Sequence, residues 1–136
     1  MIKQPKVYVK KYDKIFDVIE IHFDINVVYF DGGIRDEYMS MDFEDIEFIY
    51  NTGYKDMNGN YIYTGDILEY QNSDEHYLRR YVVEKDEDTE YYYYLTIKER
   101  YFVGRLHGMN YDYSVIGNIY ENKDLLRESD RRKSIV

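Results

Sequence analysis

A chain of 136 residues with 44% hydrophobic residues is long enough to bury a core and fits one domain. It contains no cysteine, which excludes disulfides, thiolate chemistry and cysteine zinc sites. Its net charge of −9 disfavours broad binding to nucleic-acid backbones. The chain start lacks the apolar run of a signal peptide, and no stretch approaches the roughly 18 apolar residues of a membrane span. We therefore expect a soluble, cytoplasmic protein with no membrane partner.

The charge is unevenly distributed along the chain. Residues 1 to 14 contain five lysines and one aspartate, a net charge of +4. Residues 15 to 75 contain fifteen acidic residues against Arg35 and Lys55, a net charge of −13. The simplest interpretation of the acidity is a solvated face. Charge complementarity between the basic start and the acidic middle of a second copy is the alternative.

Short strands separated by turns are predicted through the first third of the chain. Lys6 to Lys11 alternate apolar and basic residues, so Val7 and Val9 should share one face of a strand. The segment Ile15 to Phe23 fits a helix or a strand, and its β-branched content favours the strand. Further strands and turns are predicted at Asp24–Asn26 (turn), Val27–Phe30, Asp31–Gly33 (turn), Glu37–Met41 and Glu47–Tyr50. Asp42 is predicted to cap a single helical turn before the last of these strands.

The stretch from Thr52 to Leu68, TGYKDMNGNYIYTGDIL, gives the strongest turn signal of the chain. Asn58-Gly59 lies between strand-forming residues, which predicts a type I′ hairpin tip with both residues at positive φ. Asp56 can accept hydrogen bonds from the turn amides. Gly65 permits a sharp bend into a new strand at Asp66 to Tyr70.

The last part of the chain is predicted to continue the sheet and to end in a short helix. We predict a polar loop at Gln71–Glu75, strands at Tyr77–Lys85 and Tyr91–Ile97, a charged turn at Asp86–Glu90, a loop at Gly104–Asp112, a strand at Tyr113–Tyr120 and a short helix at Asn122–Asp130. The sequence contains no convincing internal repeat. We predict a mainly β fold of small barrel-like sheets, SH3-like or partly open, with a short C-terminal helix. A single domain over residues 1–136 would comprise an N-terminal lobe (about 1–50), a second lobe (about 51–126) and a helical tail.

Catalytic and metal-binding patterns are missing from the sequence. Counted from Asp56, a calcium loop would require glycine and glutamate where Tyr61 and Ile67 stand. The histidines have no metal-ligand spacing, and no nucleophile elbow or phosphate loop occurs. We therefore predict no enzyme activity, no cofactor and no metal. The group Tyr77, Arg79, Arg80 and Tyr81 could stack single-stranded nucleic acid, although a plain exposed strand explains it better.

Two segments resemble the YopX-like family of phage and prophage proteins. TGYKDMNGNYIYTGDIL is similar to the central family signature, and VIGNIYENKDLL, from Val115 to Leu126, is similar to a second signature near the C-terminus. The sequence departs from the family pattern at Tyr54, Met57, Asn60, Thr64 and Lys123. The structural motif comprises Thr52, Gly53, Lys55, Asp56, Asn58, Gly59, Ile62, Tyr63, Gly65, Asp66, Ile67, Gly117, Asn118, Ile119, Tyr120, Glu121 and Asn122. The resemblance implies a mainly β protein encoded by a phage or an integrated prophage, and it assigns no biochemical activity.

The function predicted from the sequence is contact with another protein, from the phage or from its host. One alternative is an accessory factor of phage replication or regulation that associates with nucleic acid. Another is an acidic inhibitor that mimics DNA charge against a host enzyme. The tyrosine run from Tyr91 to Tyr94 suggests an interface, so a homo-oligomer is also predicted.

Overall fold

The computed structural model describes residues 5–33, 37–71, 80–85, 93–96, 102–106 and 112–126. These residues are mainly strand, which confirms the predicted fold class. The strands are β1 Lys6–Val9, β2 Lys14–His22, β3 Val27–Asp31, β4 Tyr38–Asp42, β5 Ile46–Ile49, β6 Asn51–Lys55, β7 Tyr61–Tyr63, β8 Asp66–Tyr70, β9 Arg80–Lys85, β10 Tyr93–Thr96, β11 Phe102–Arg105 and β12 Tyr113–Asn118. A one-turn 3₁₀ helix, Phe43–Asp45, precedes β5, and residues 124–126 are helical.

The chain divides into two compact units, Met1–Asn51 and Thr52–Val136. The first unit contains a five-stranded antiparallel sheet in the order β4-β3-β2-β1-β5. Its two outer strands are joined only by the 3₁₀ helix. A flat sheet would separate them by four strand spacings, roughly 19 Å, whereas the four residue steps from Asp42 to Ile46 reach at most about 14 Å. The sheet must therefore curl into a partly open barrel.

The inside of this barrel is the apolar core of the first unit. Val7 and Val9 are both fully buried on one face of β1, as their alternation with lysine predicts. The strand prediction for Ile15 to Phe23 is confirmed by β2, which bulges between Val18 and Glu20 as it passes from β1 to β3. The buried cluster comprises Val7, Val9, Val18, Val28, Phe30 and Ile46.

The second unit repeats the strand order of the first, although the sequence shows no repeat. Its five-stranded sheet has the order β11-β10-β9-β8-β12. In each unit four consecutive strands form an antiparallel meander, and the fifth strand pairs with the first. The two-stranded sheet of β6 and β7 precedes the second meander. The buried cluster of this unit comprises Ile62, Leu68, Val83 and Leu106, and Tyr54, Tyr81, Tyr113 and Val115 pack against it.

Three local predictions were wrong. The hairpin tip is not a type I′ turn. Such a turn needs positive φ at both central residues, and here Gly59 has φ +83° whereas Asn58 does not have positive φ. Asp42 makes no side-chain cap bond, and its carboxylate is solvated instead. The predicted loop at Gly104–Asp112 overlaps the end of β11, where Gly104 pairs with Leu95, because backbone pairing alone accommodates glycine in a strand.

Several predictions concern residues outside the described part of the chain. These include the loop at Gln71–Glu75 apart from Gln71, the turn at Asp86–Glu90, Tyr77, Arg79, Tyr91, Tyr92, His76 and His107, and the chain beyond residue 126. Of the tyrosine run, only Tyr93 and Tyr94 are described, as backbone positions in β10 paired with Lys85 and Glu84.

Candidate functional site

The signature residue Asp56 is a buried carboxylate that accepts three backbone hydrogen bonds. The side chain is only 6% exposed. Its Oδ1 accepts from the N–H groups of Asn58 and Asn60, both at 2.9 Å, as the Asx prediction requires. Its Oδ2 accepts from the N–H of Val115 in β12 at 2.9 Å. One side chain thus shapes the hairpin loop and fixes it to the second signature segment.

The loop closes with a single left-handed residue rather than two. The N–H of Gly59 donates to the carbonyl of Asp56 at 3.1 Å, and the N–H of Asp56 donates to the carbonyl of Asn60 at 2.9 Å. This is the pattern of a three-residue hairpin loop with a bulge at glycine. Because Asp56 already holds the loop amides, only Gly59 needs positive φ.

Gly65 lies in the turn between β7 and β8 and is hydrogen-bonded to β9 and to the turn after β12. Its N–H donates to the carbonyl of Val83 at 2.8 Å, and its carbonyl accepts from the N–H of Ile119 at 2.9 Å. It has φ +85°, and an added Cβ would lie 2.8 Å from Cε2 of Tyr120. Both conditions require glycine. Asp66 is buried beside it, and its Oδ2 accepts from the N–H of Tyr63 at 2.8 Å.

The second signature segment forms a closed polar turn after β12. Oδ1 of Asn118 accepts from the N–H groups of Tyr120 and Glu121, and Oδ1 of Asn122 accepts from the N–H of Asn118. Gly117 leaves room for this turn, because an added Cβ would lie 2.6 Å from Oδ1 of Asn122.

The remaining signature residues also have structural roles. The Thr52 hydroxyl donates to the carbonyl of Ile62 at 2.6 Å. Gly53 has φ +82°. Ile62 and Ile67 are fully buried. The ammonium of Lys55 lies 5.0 Å from the ring centroid of Tyr61. The two signatures therefore build the second unit.

The candidate nucleic-acid platform is only partly described, and its described members are engaged within the fold. Nε of Arg80 donates to Oε2 of Glu69 at 2.8 Å, and Nη1 donates to the carbonyl of Leu125 at 2.6 Å. Tyr81 packs against the core of the second unit, with its ring centroid 6.0 Å from that of Tyr113. A cation and a ring held in this way do not form an open stacking surface.

An exposed apolar group stands out in the first unit, at the turn between β2 and β3. Phe23 and Ile25 are 73% and 57% exposed. The ring of Phe23 makes an edge contact with Phe43 of the 3₁₀ helix, at 5.9 Å between centroids. The N–H of Phe43 donates to the carbonyl of Asn26 at 2.9 Å, which holds the helix against the turn. This bond fixes the backbone of the turn relative to the 3₁₀ helix.

Carboxylates border this apolar group. Asp42, Glu44 and Asp45 are exposed, and their oxygens lie within 4.8 Å of one another. A cavity of about 440 Å³ lies between the two elements and is lined by Ile25, Asn26, Asp42, Phe43 and Glu44. We call these five lining residues, together with Phe23, the acidic–aromatic surface. Sequence reasoning missed it, because Phe23 was placed inside a strand and the carboxylates were assigned to a capped turn.

Two lysines lie next to the 3₁₀ helix. Nζ of Lys10 donates to the carbonyl of Glu44 at 3.2 Å. Lys10 and Lys11 line a separate cavity with Met41 and Asp45. The two lysines thus share a cavity with Asp45, whereas no lysine or arginine is among the described residues that line the cavity beside Phe23.

The fold and its two signatures define a mainly β protein with two five-stranded sheets of the same strand order. The family model described as YopX protein matches residues 6–127, and the chain belongs to this family. The resemblance inferred from the signatures is therefore confirmed. The chain is also similar in fold to the crystal structure of protein EF1440 from Enterococcus faecalis, with a TM-score of 0.62 and 21% identity over 93% of this chain and 99% of that one.

No curated protein matches the chain. Among the described residues, no helix is long and apolar enough to cross a membrane.

Proposed function

We propose that the protein acts by binding another protein, from a phage or prophage or from its bacterial host, through the acidic–aromatic surface of its first unit. The observation that carries this proposal is the exposure of Phe23, at 73%, on a turn held in place by the hydrogen bond between Phe43 and Asn26. Keeping a phenyl ring in water is unfavourable, and aromatic residues are enriched at protein interfaces. Burial of the ring by a partner would remove this cost.

Neighbouring rings link Phe23 to the core of the first unit, because Phe43 and Phe48 pack against the buried cluster. The ring centroids of Phe43 and Phe48 lie 5.2 Å apart, and those of Phe48 and Tyr50 lie 6.1 Å apart. The rings therefore form a continuous row from Phe23 to Tyr50. A pre-positioned aromatic row loses little conformational entropy on binding, which favours affinity.

Paired enrichment from host cells tests the proposal. The wild-type chain and the variants Phe23→Ser and Tyr38→Ser serve as baits, and the proteins they retain are quantified by mass spectrometry. Tyr38 is a matched control because it is 67% exposed and lies at the other end of β4 from Asp42. We expect a protein that is retained by the wild type and by Tyr38→Ser and lost with Phe23→Ser. Equal retention of every protein by all three baits would refute the proposal.

A further inference from the structure

We infer that the acidic–aromatic surface recognises a basic segment of its partner, in which lysine or arginine side chains flank an apolar anchor. This inference rests on the proposed function and specifies the partner's chemistry. The cavity offers apolar contact at Ile25 and Phe43 and negative charge at Asp42 and Glu44. An apolar side chain would be buried between the turn and the 3₁₀ helix while its basic neighbours meet the carboxylates.

The charge distribution favours a basic partner over a second copy that presents the same surface. Each copy has a net charge of −9, and two copies that meet face to face here would oppose carboxylates with carboxylates. Like charges in an interface oppose association, and complementary charges accelerate it. The same repulsion applies to nucleic-acid phosphates.

The apolar component makes a peptide a better fit than a free cation. The oxygens of Asp42, Glu44 and Asp45 could attract a cation, but all three residues are exposed. A cation would leave Phe23 and Ile25 in water, whereas a basic segment with an apolar anchor would bury both side chains and neutralise the carboxylates. Exposed ion pairs are individually weak and screened by salt, so apolar contact should supply affinity and charge should supply selectivity.

Fluorescence anisotropy with short synthetic peptides tests the inference on the full chain. The probe is a fluorescein-labelled peptide in which lysines and arginines flank a leucine–tryptophan pair. One control peptide replaces every basic residue by glutamate, and the other replaces leucine and tryptophan by serine. We expect the probe to bind about tenfold more tightly than either control, with an affinity that falls as salt rises. Equal binding of the probe and the charge-reversed peptide would overturn the inference.

Protein variants test where the probe binds and separate the apolar contribution to affinity from the charge contribution. Phe23→Ser and the double variant Asp42→Asn with Glu44→Gln should each weaken the probe about tenfold. Asp17→Asn is the charge control, since Asp17 is exposed on β2 and does not line the cavity. Equal losses in Asp17→Asn and in the double variant would overturn the inference, because general acidity would then account for binding.

The remaining outcomes are distinguishable from failure of the proposed function. A cellular partner that is lost with Phe23→Ser but binds the double carboxylate variant with unchanged affinity would refute the basic-segment inference and leave the proposed function intact. Saturable binding of CaCl₂ that displaces the probe would instead assign the carboxylates to a cation. Sedimentation of a dimer that dissociates in Phe23→Ser would assign the surface to a second copy. Either result overturns the inference.

Discussion

The carboxylate of Asp56 accepts a hydrogen bond from the backbone N–H of Val115 at 2.9 Å, although the two residues are 59 positions apart in the sequence. A second bond, from the N–H of Met57 to the carbonyl of Tyr113 at 2.9 Å, reinforces the junction. The two family signatures therefore contact each other directly in the second unit. Their residues are best explained by the need to close the second unit.

Asp56→Ala should destabilise the second unit by about 3 kcal/mol, because it leaves three backbone N–H groups without their charged acceptor. Hydrogen exchange followed by NMR is the appropriate measurement, since it reports each amide separately. The amides of Asn58, Asn60 and Val115 should lose protection together. Asn58→Ala is the control, because it removes only the exposed bond to the Ser114 hydroxyl. Protection of Val115 at the wild-type level in Asp56→Ala would contradict the assignment.

Gly59→Val should cost about 1–2 kcal/mol of unfolding free energy, because a β-branched residue is strained at φ +83°. No atom lies within 4 Å of the added Cβ, so the cost is one of backbone conformation alone. Urea denaturation of the variant measures it. An unchanged midpoint would show that the tip tolerates negative φ at this position.

Gly65→Ala should cost more than Gly59→Ala, although both residues have nearly the same φ. The difference is steric, since the added Cβ of residue 65 would lie 2.8 Å from the Tyr120 ring. Comparison of the urea midpoints of the two variants isolates this contribution. Adding Tyr120→Ala to Gly65→Ala supplies the control: the crowding should disappear and the cost of positive φ should remain. Equal midpoints for the two alanine variants would rule out the crowding.

The sequence was informative where structure depends on local pattern. Alternation in β1 predicted the burial of Val7 and Val9, and the Asx propensity of Asp56 predicted its bonds to the loop. The hydrogen bond from Val115 to Asp56 could not be predicted, because no local rule predicts contact between segments that are distant in the sequence. The common strand order of the two units was hidden for the same reason, since topology is set by pairing partners and not by residue similarity. Exposure of Phe23 was missed because phenylalanine favours strands, and nothing in the local sequence marks the end of β2 at His22 rather than at Phe23.

Self-association through Tyr91 to Tyr94 stays a prediction. Within the described residues, β10 lies between β9 and β11 in the second sheet, so its backbone is paired on both sides. A contact between copies at β10 would therefore have to use side chains rather than an added strand. Sedimentation of the wild type and of Tyr92→Ser up to high micromolar concentration tests it. An oligomer weakened by the variant is expected, and a concentration-independent monomer would refute it.

Tyr8 should make the stability of the first unit depend on alkaline pH. Its hydroxyl donates to the carboxylate of Asp13, and this bond, together with the negative charges of Asp13 and Glu47, raises the pKa of Tyr8 above its ordinary value of 10.0. A raised pKa in the folded state means that folding favours the protonated phenol. The stabilisation is therefore complete below pH 10 and is lost as the pH rises through the folded-state pKa.

The variant Tyr8→Phe tests this sign directly. Below pH 10 the wild type should be more stable than the variant, and the difference in unfolding free energy should shrink as the pH is raised beyond that point. Taking the difference cancels the contributions of the other tyrosines, which both proteins share. Asp13→Asn is the second measurement, because loss of the carboxylate should lower the pKa of Tyr8 toward its ordinary value and so reduce the pH dependence of stability. A difference between wild type and Tyr8→Phe that stays constant from neutral to strongly alkaline pH would contradict the role assigned to the Asp13 carboxylate.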